Sequence, residues 1–145
     1  MHIEQVSEAT DELCEALQRL SPQLSANKAP PSLEDLQTLV GSESSRLLIA
    51  REPDENSPIA GVLCLTVYRV PTGLRSIIED VIVDQNMRKR GIGEALMRHA
   101  IEVARQAGAE AVALTSNPGR EAANRLYQSL GFELRKTNPY IFRLK

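Results

Sequence analysis

The stretch that most limits how this chain can fold is Arg88-Lys89-Arg90-Gly91-Ile92-Gly93. An apolar, strand-like run from Ile77 to Val83 leads into it, and an amphipathic helical pattern leaves it. Two glycines let a backbone approach a ligand without a Cβ clash, and the first amides of the following helix have no intrahelical acceptor. Roughly half a positive charge collects at such a helix end, here beside the cations Arg88, Lys89 and Arg90. Strand, glycine turn and helix in that order form a cradle suited to a pyrophosphate. Paired glycines also mark ordinary tight turns, so the surrounding sequence has to decide between the two.

With 145 residues, 42% of them hydrophobic, the chain can bury one core and is too short for two ordinary domains. A net charge of -2 argues against a nucleic-acid binder, since the basic cluster at 88–90 is local. No secretory leader pattern opens the sequence, and no apolar run approaches the ~20 residues that a membrane helix needs. A cytoplasmic protein that binds neither membrane nor nucleic acid is expected. Cys14 and Cys64 with His2 and His99 have no metal-site spacing, so no metal is expected.

Along the chain, Ile3 to Val6 reads as a short strand. Thr10-Asp11-Glu12 then caps a helix whose Leu13, Ala16, Leu17 and Leu20 share one face, ending near Ser21-Pro22. Ser32, Glu34 and Asp35 open a second helix that Gly41 closes, and the loop from Pro22 to Pro31 is a candidate substrate rim. Ser45 to Arg51, Ile59 to Val70 and Leu74 to Val83 read as three antiparallel strands separated by Pro, Gly, Asp and Asn turn signals. From Gly93 to Gly108 a stripe of Ala95, Leu96, His99, Ala100, Val103 and Ala104 predicts the cradle helix, with His99 as a core histidine. Ala111 to Ser116 reads as a buried strand, Arg120 to Leu130 as a helix, and Phe132 to Arg135 and Tyr140 to Leu144 as two closing strands. The order β-α-α-β-β-β-α-β-α-β-β predicts a mixed α/β sandwich with helices on both faces.

Two familiar nucleotide motifs do not fit. A dinucleotide fingerprint would need glycine at position 96, which is Leu96, and a P-loop needs Lys-Ser/Thr after its last glycine, where Glu94 stands. The chain instead resembles the GNAT superfamily of acetyl-CoA-dependent N-acetyltransferases. Three segments carry the resemblance: Ile78-Glu79-Asp80-Val81-Ile82-Val83, then Arg88-x-x-Gly91-x-Gly93-x-x-Leu96, then Ala123-x-x-Leu126-Tyr127-x-x-x-Gly131-Phe132. It implies one domain over 1–145 with the GNAT fold, a mostly antiparallel mixed sheet of about seven strands flanked by about four helices. It also implies acetyl-CoA as co-substrate, its pyrophosphate held by Arg88, Lys89, Arg90, Gly91, Ile92, Gly93 and Glu94. The strand Val81, Ile82, Val83 would splay from its neighbour and pair its backbone with the pantetheine arm; as side chains, the two valines can equally be core.

Acetyl transfer to an amine requires an unprotonated nitrogen, and an amine of pKa near ~10 is mostly ammonium at neutral pH. A carboxylate must draw off that proton, directly or through water. Glu79 and Asp80 are adjacent, so regular alternation would turn only one toward the acceptor. The resemblance favours Glu79 as the base; the alternative is that Glu79 orients substrate or pairs with a cation such as Arg75. Tyr127 resembles the family's general acid for the leaving thiolate, the alternative being a core tyrosine with a satisfied hydroxyl. Asn124, one turn before Tyr127, and Asn117 are candidate cofactor contacts or turn residues.

Peptide N-terminal acetyltransferases of this family usually place Ser-Asn about seven residues before the Tyr, whereas Asn117 precedes Tyr127 by ten. A small-molecule amine is therefore the expected acceptor rather than a protein N-terminus. No Cys or Ser constellation points to a covalent intermediate, so direct attack in a ternary complex is expected. The competing expectation is a non-catalytic acyl-CoA-binding or regulatory module. A homodimer through an open sheet edge is a further expectation.

Overall fold

In the computed structural model, which describes residues Met1–Lys145, the chain forms two compact units, Met1–Thr115 and Ser116–Lys145. The first contains strands β1 (His2–Gln5), β2 (Ser45–Arg51), β3 (Ile59–Val70), β4 (Gly73–Val83) and β5 (Val112–Leu114). Its helices are α1 (Asp11–Leu24), α2 (Leu33–Gly41) and α3 (Ile92–Ala107), with a 3-10 turn at Gln85–Met87. The second unit contains α4 (Glu121–Ser129).

Local chemistry sets the helix starts. The Thr10 hydroxyl accepts the Leu13 amide at 3.1 Å, with Asp11 and Glu12 in the first turn. At α2 a reciprocal capping box forms: Ser32 Oγ accepts the Asp35 amide at 3.1 Å, and the Asp35 carboxylate accepts the Ser32 amide at 3.0 Å. Helix α1 runs past the expected stop at Pro22 to Leu24. A proline so near the end forfeits a single helical hydrogen bond, and the Ser25 amide still reaches the Ser21 carbonyl at 3.1 Å.

The sheet runs β1-β2-β3-β4-β5, antiparallel until β5, which lies parallel to β4. One face, carrying Leu47, Ile49, Val62 and Ile82, forms a core with Leu13, Leu17, Leu20 and Leu36 of α1 and α2. The other carries Leu48, Leu63 and Leu65, all fully buried, and receives α3 through Ile92 and Leu96. Helices thus cover both faces. Gly61 makes the second contact possible: a Cβ there would lie 3.1 Å from Ile82 O, Ile92 Cγ2 and Leu96 Cδ1.

The sheet has five strands, not about seven. Phe132 to Arg135 and Tyr140 to Leu144 form neither strand nor helix, and Leu134, Tyr140, Phe142 and Leu144 are exposed. Alternating apolar residues qualify a segment for a strand, but the ladder comes from a partner. The expected strand 111–116 is likewise cut to Val112–Leu114, where β4 supplies the pairing.

Candidate functional site

The turn from β4 into α3 has the form of a cradle. Lys89 has φ 65° and Gly91 φ 78°, so two left-handed residues bend the backbone within three positions. Gly91 occupies the N-cap of α3, and no side chain caps that helix. A Cβ at Gly91 would meet nothing within 4 Å, so the space over the helix end is open. Arg88, Lys89 and Arg90 are exposed and enter no ion pair. Uncapped amides of Ile92, Gly93 and Glu94 beside three free cations fit a diphosphate.

Upstream, the turn is tied to α1 by residues that the sequence reading did not single out. The nearly buried Asp84 carboxylate accepts a charge-assisted bond from Arg19 and a second from the Asn86 amide at 3.1 Å. Arg19 also donates to the Ile59 carbonyl at 2.9 Å, and Gln23 Oε1 accepts the Gln85 amide at 2.9 Å. Arg19 and Asp84 stand 65 residues apart, a separation that no local pattern would connect.

Both neighbours of β4 lose register at one place. On the β3 side Leu65 pairs with Ile78 and Leu63 with Val81, so Glu79 and Asp80 together oppose Cys64. This is a bulge on β4. Leu63 and Leu65 share a sheet face, so Ile78 and Val81 do too, although strict alternation would have separated them. The alternation expected of Glu79 and Asp80 therefore fails, and the pair lies opposite Cys64 on the face that carries Val62 and Ile82. On the other side the parallel ladder ends at the Ile78–Leu114 pair, leaving the outer edge of β4 from Glu79 to Val83 without a strand partner.

A cavity of about 720 Å³ opens over that face. Its floor includes Cys64, Asp80 and Ile82, and Lys28 and Pro31 of the expected rim loop line its mouth. Asp80 belongs to the wall, and Glu79 does not. Burial, reinforced by the charges of Asp80 and Glu79, pushes the Cys64 thiol up to about 11. At neutral pH Cys64 is a neutral thiol and a poor nucleophile. A second hollow of about 700 Å³, lined by Arg46, Tyr68 and Gln106 among others, contains none of the expected site residues.

Within the second unit, Tyr127 is half-buried on α4 and meets Phe132 edge-on at 6.1 Å. Burial raises its pKa against the opposing effect of Arg120, so the phenol stays protonated at neutral pH. Asn117 Oδ1 accepts the Gly119 amide at 2.8 Å. Asn124 Nδ2 donates to the Asn117 and Arg120 carbonyls at 3.0 and 2.8 Å. Both asparagines thus brace the 117–120 turn, and Asn124 keeps only its amide oxygen for other partners.

Strand β4, bulged on one side and open along its outer edge, thus runs into an uncapped glycine turn and helix α3. Residues 10–132 match the model of the acetyltransferase (GNAT) family, and the chain belongs to that family. It is 33% identical over 115 residues to a protein of Oryza sativa subsp. japonica described as probable glucosamine 6-phosphate N-acetyltransferase 2. The match takes in 77% of this chain and 66% of the rice protein, so the chain spans just under two thirds of that relative. Among solved structures, an aminoglycoside acetyltransferase from an uncultured soil metagenomic sample, in complex with sisomicin, superposes with TM-score 0.83 at 23% identity, covering 99% of this chain and 96% of that one. A transcriptional regulator from Bacillus halodurans C-125 superposes with TM-score 0.78 at 26% identity, covering 98% and 100%.

Proposed function

We propose that this chain is an acetyl-CoA-dependent N-acetyltransferase acting on the primary amine of a small molecule. The observation that carries the reading is the β4 bulge. It sets two carboxylates opposite Cys64, of which Asp80 lines a cavity, on the strand that leads into the uncapped α3 end. About 10 Å of strand separates Asp80 from Val83, a span suited to a ligand anchored at one end and reacting at the other.

The thioester of acetyl-CoA supplies the activated acetyl group. Arg88, Lys89, Arg90 and the amides from Gly91 to Glu94 hold its diphosphate, and the free edge of Val81, Ile82 and Val83 offers backbone partners to an amide-bearing arm. The bulge pair takes the ammonium proton. Its position in the cavity wall favours Asp80 as the acceptor, with Glu79 supporting the negative field. Tyr127, protonated at neutral pH, carries the general-acid role that its segment resembles. Attack is direct, since the high pKa of Cys64 disfavours an acyl-cysteine.

Calorimetry with acetyl-CoA, together with release of free coenzyme A across an amine panel, tests the reading. Micromolar binding with amine-dependent release is expected. Binding without release from any amine would favour a non-catalytic regulatory module, a reading to which the Bacillus halodurans likeness lends some weight. Asp80→Asn should flatten the acidic limb of the pH–rate profile, because a base works only when ionised; if Glu79→Gln does so instead, the base is Glu79.

A further inference from the structure

The cavity chemistry narrows the acceptor. Its wall is built largely from Leu17, Leu24, Leu36, Leu39, Leu47 and Ile82, with loop prolines and the hydroxyls of Ser21 and Ser25 also lining it. The charged groups are Lys28, Asp35 and Asp80. Asp35 is already committed to the α2 capping box, where it accepts the Ser32 amide at 3.0 Å, and Lys28 sits on the exposed loop. One carboxylate, Asp80, thus remains at the floor to meet a cation.

Different amine classes make different demands on such a wall. A sugar phosphate needs several cations for its phosphate and hydrogen-bond partners for each buried hydroxyl. A polycationic aminosugar needs an array of carboxylates. Leucines satisfy neither demand, and the two serines, Ser21 and Ser25, are too few to pair the several hydroxyls of a buried sugar, so those set against the leucines would be left unpaired. An amine with a single cationic centre and an apolar body fits both the floor and the wall.

We infer that the acceptor is a hydrophobic primary monoamine, an alkyl- or arylalkylamine, with its ammonium at Asp80 and its hydrocarbon against the leucine wall. This rests on the acetyltransferase reading above. The cavity, at about 720 Å³, is within the ordinary range for small-ligand sites. Removing a methylene from water is worth about 0.8 kcal/mol, close to a fourfold change in binding. Specificity should therefore climb with chain length.

The test compares kcat/KM for ethylamine, butylamine, hexylamine and phenethylamine with that for glucosamine 6-phosphate and kanamycin. Calorimetric binding of phenethylamine and of acetyl-CoA, each alone, is measured on the same protein. Expected are a rise of about fourfold per methylene, phenethylamine binding without acetyl-CoA, and rates with the two polar acceptors at least about a hundredfold lower. Leu24→Ser, a change at a partly exposed wall residue, should lower kcat/KM for hexylamine severalfold more than for ethylamine, and equal losses for the two amines would count against the inference. A flat alkyl series, or a preference for the sugar phosphate or kanamycin, overturns the inference while leaving the acetyltransferase reading intact. Absence of both acetyl-CoA binding and acetylation of any amine overturns the two together.

Discussion

Gly61→Ala tests whether the seating of α3 on the sheet is what positions the cradle. The new methyl would stand 3.1 Å from three atoms. The methyls of Ile92 and Leu96 are side-chain ends, but both residues are fully buried and cannot swing into solvent. The Ile82 carbonyl is backbone inside the sheet and cannot retreat. Overpacking of this kind costs about 1–3 kcal/mol. For a chain of this size, about 2 kcal/mol corresponds to a fall of roughly 4–8 °C in Tm. Because Ile92 is the first residue of α3, the strain is relieved by lifting the helix end that carries the cradle amides, so acetyl-CoA affinity should fall as well. Scanning calorimetry and titration calorimetry read the two effects. Gly41→Ala is the control: nothing lies within 4 Å of its Cβ, and a change of no more than about 1 kcal/mol in either direction is expected. A Gly61→Ala protein that melts and binds like its parent would refute the packing argument. One that loses stability and binds normally would show that the cradle is positioned by something other than the α3 seat.

Tyr127→Phe should lower turnover by about 10²-fold with acetyl-CoA affinity little changed, and an unaltered rate would remove Tyr127 from the chemistry. Cys64 makes stability depend on alkaline pH: the unfolded thiol ionises near 9.0 and the folded one at about 11, so the folded state retains a proton that the unfolded state has lost. Stability should therefore fall as pH rises through that window, by at most about 3 kcal/mol. Urea midpoints should show the slope in the parent and not in Cys64→Ala; an identical slope in both would refute it. Arg19→Ala leaves the nearly buried Asp84 without its cation and should cost about 1–2 kcal/mol, discounted because the Arg19 side chain is partly exposed. Acetyl-CoA affinity should drop with it, and full retention of affinity would mean that this pair does not position the turn.

What could be read from the sequence divides along physical lines. The starts of α1 and α2 were legible because capping is a matter of three or four consecutive residues, Thr10 to Leu13 and Ser32 to Asp35. The cradle was legible because glycine at 91 and the apolar stripe of α3 are local signals. Pro22 was misread as a stop, since one missing amide close to a helix end is cheaply tolerated. The closing strands at 132–135 and 140–144 were expected from their apolar residues and from the resemblance, while a strand also needs a partner to pair with. Arg19 and Asp84 could not be connected, because only the fold brings α1 to the end of β4.

The bulge is the most instructive case. Ile78-Glu79-Asp80-Val81 contains no glycine or proline to mark an irregularity, and its apolar-polar pattern is compatible with a regular strand. The extra residue exists only relative to β3, where a single residue, Cys64, opposes two. It reverses the facing of everything downstream, which is why Val62 pairs with Ile82 beneath the cavity while Leu63 and Val81 pair on the α3 side. At the same residues β5 departs from β4, so the strand is irregular on one edge and unpaired on the other. Backbone groups on such an edge must find water or a ligand. An extended ligand arm carrying amides, laid from the cradle toward Asp80, would satisfy them and end beside the bulge carboxylates. One irregularity in strand pairing thus accounts for both where the bulge carboxylates sit and how an extended ligand could reach them.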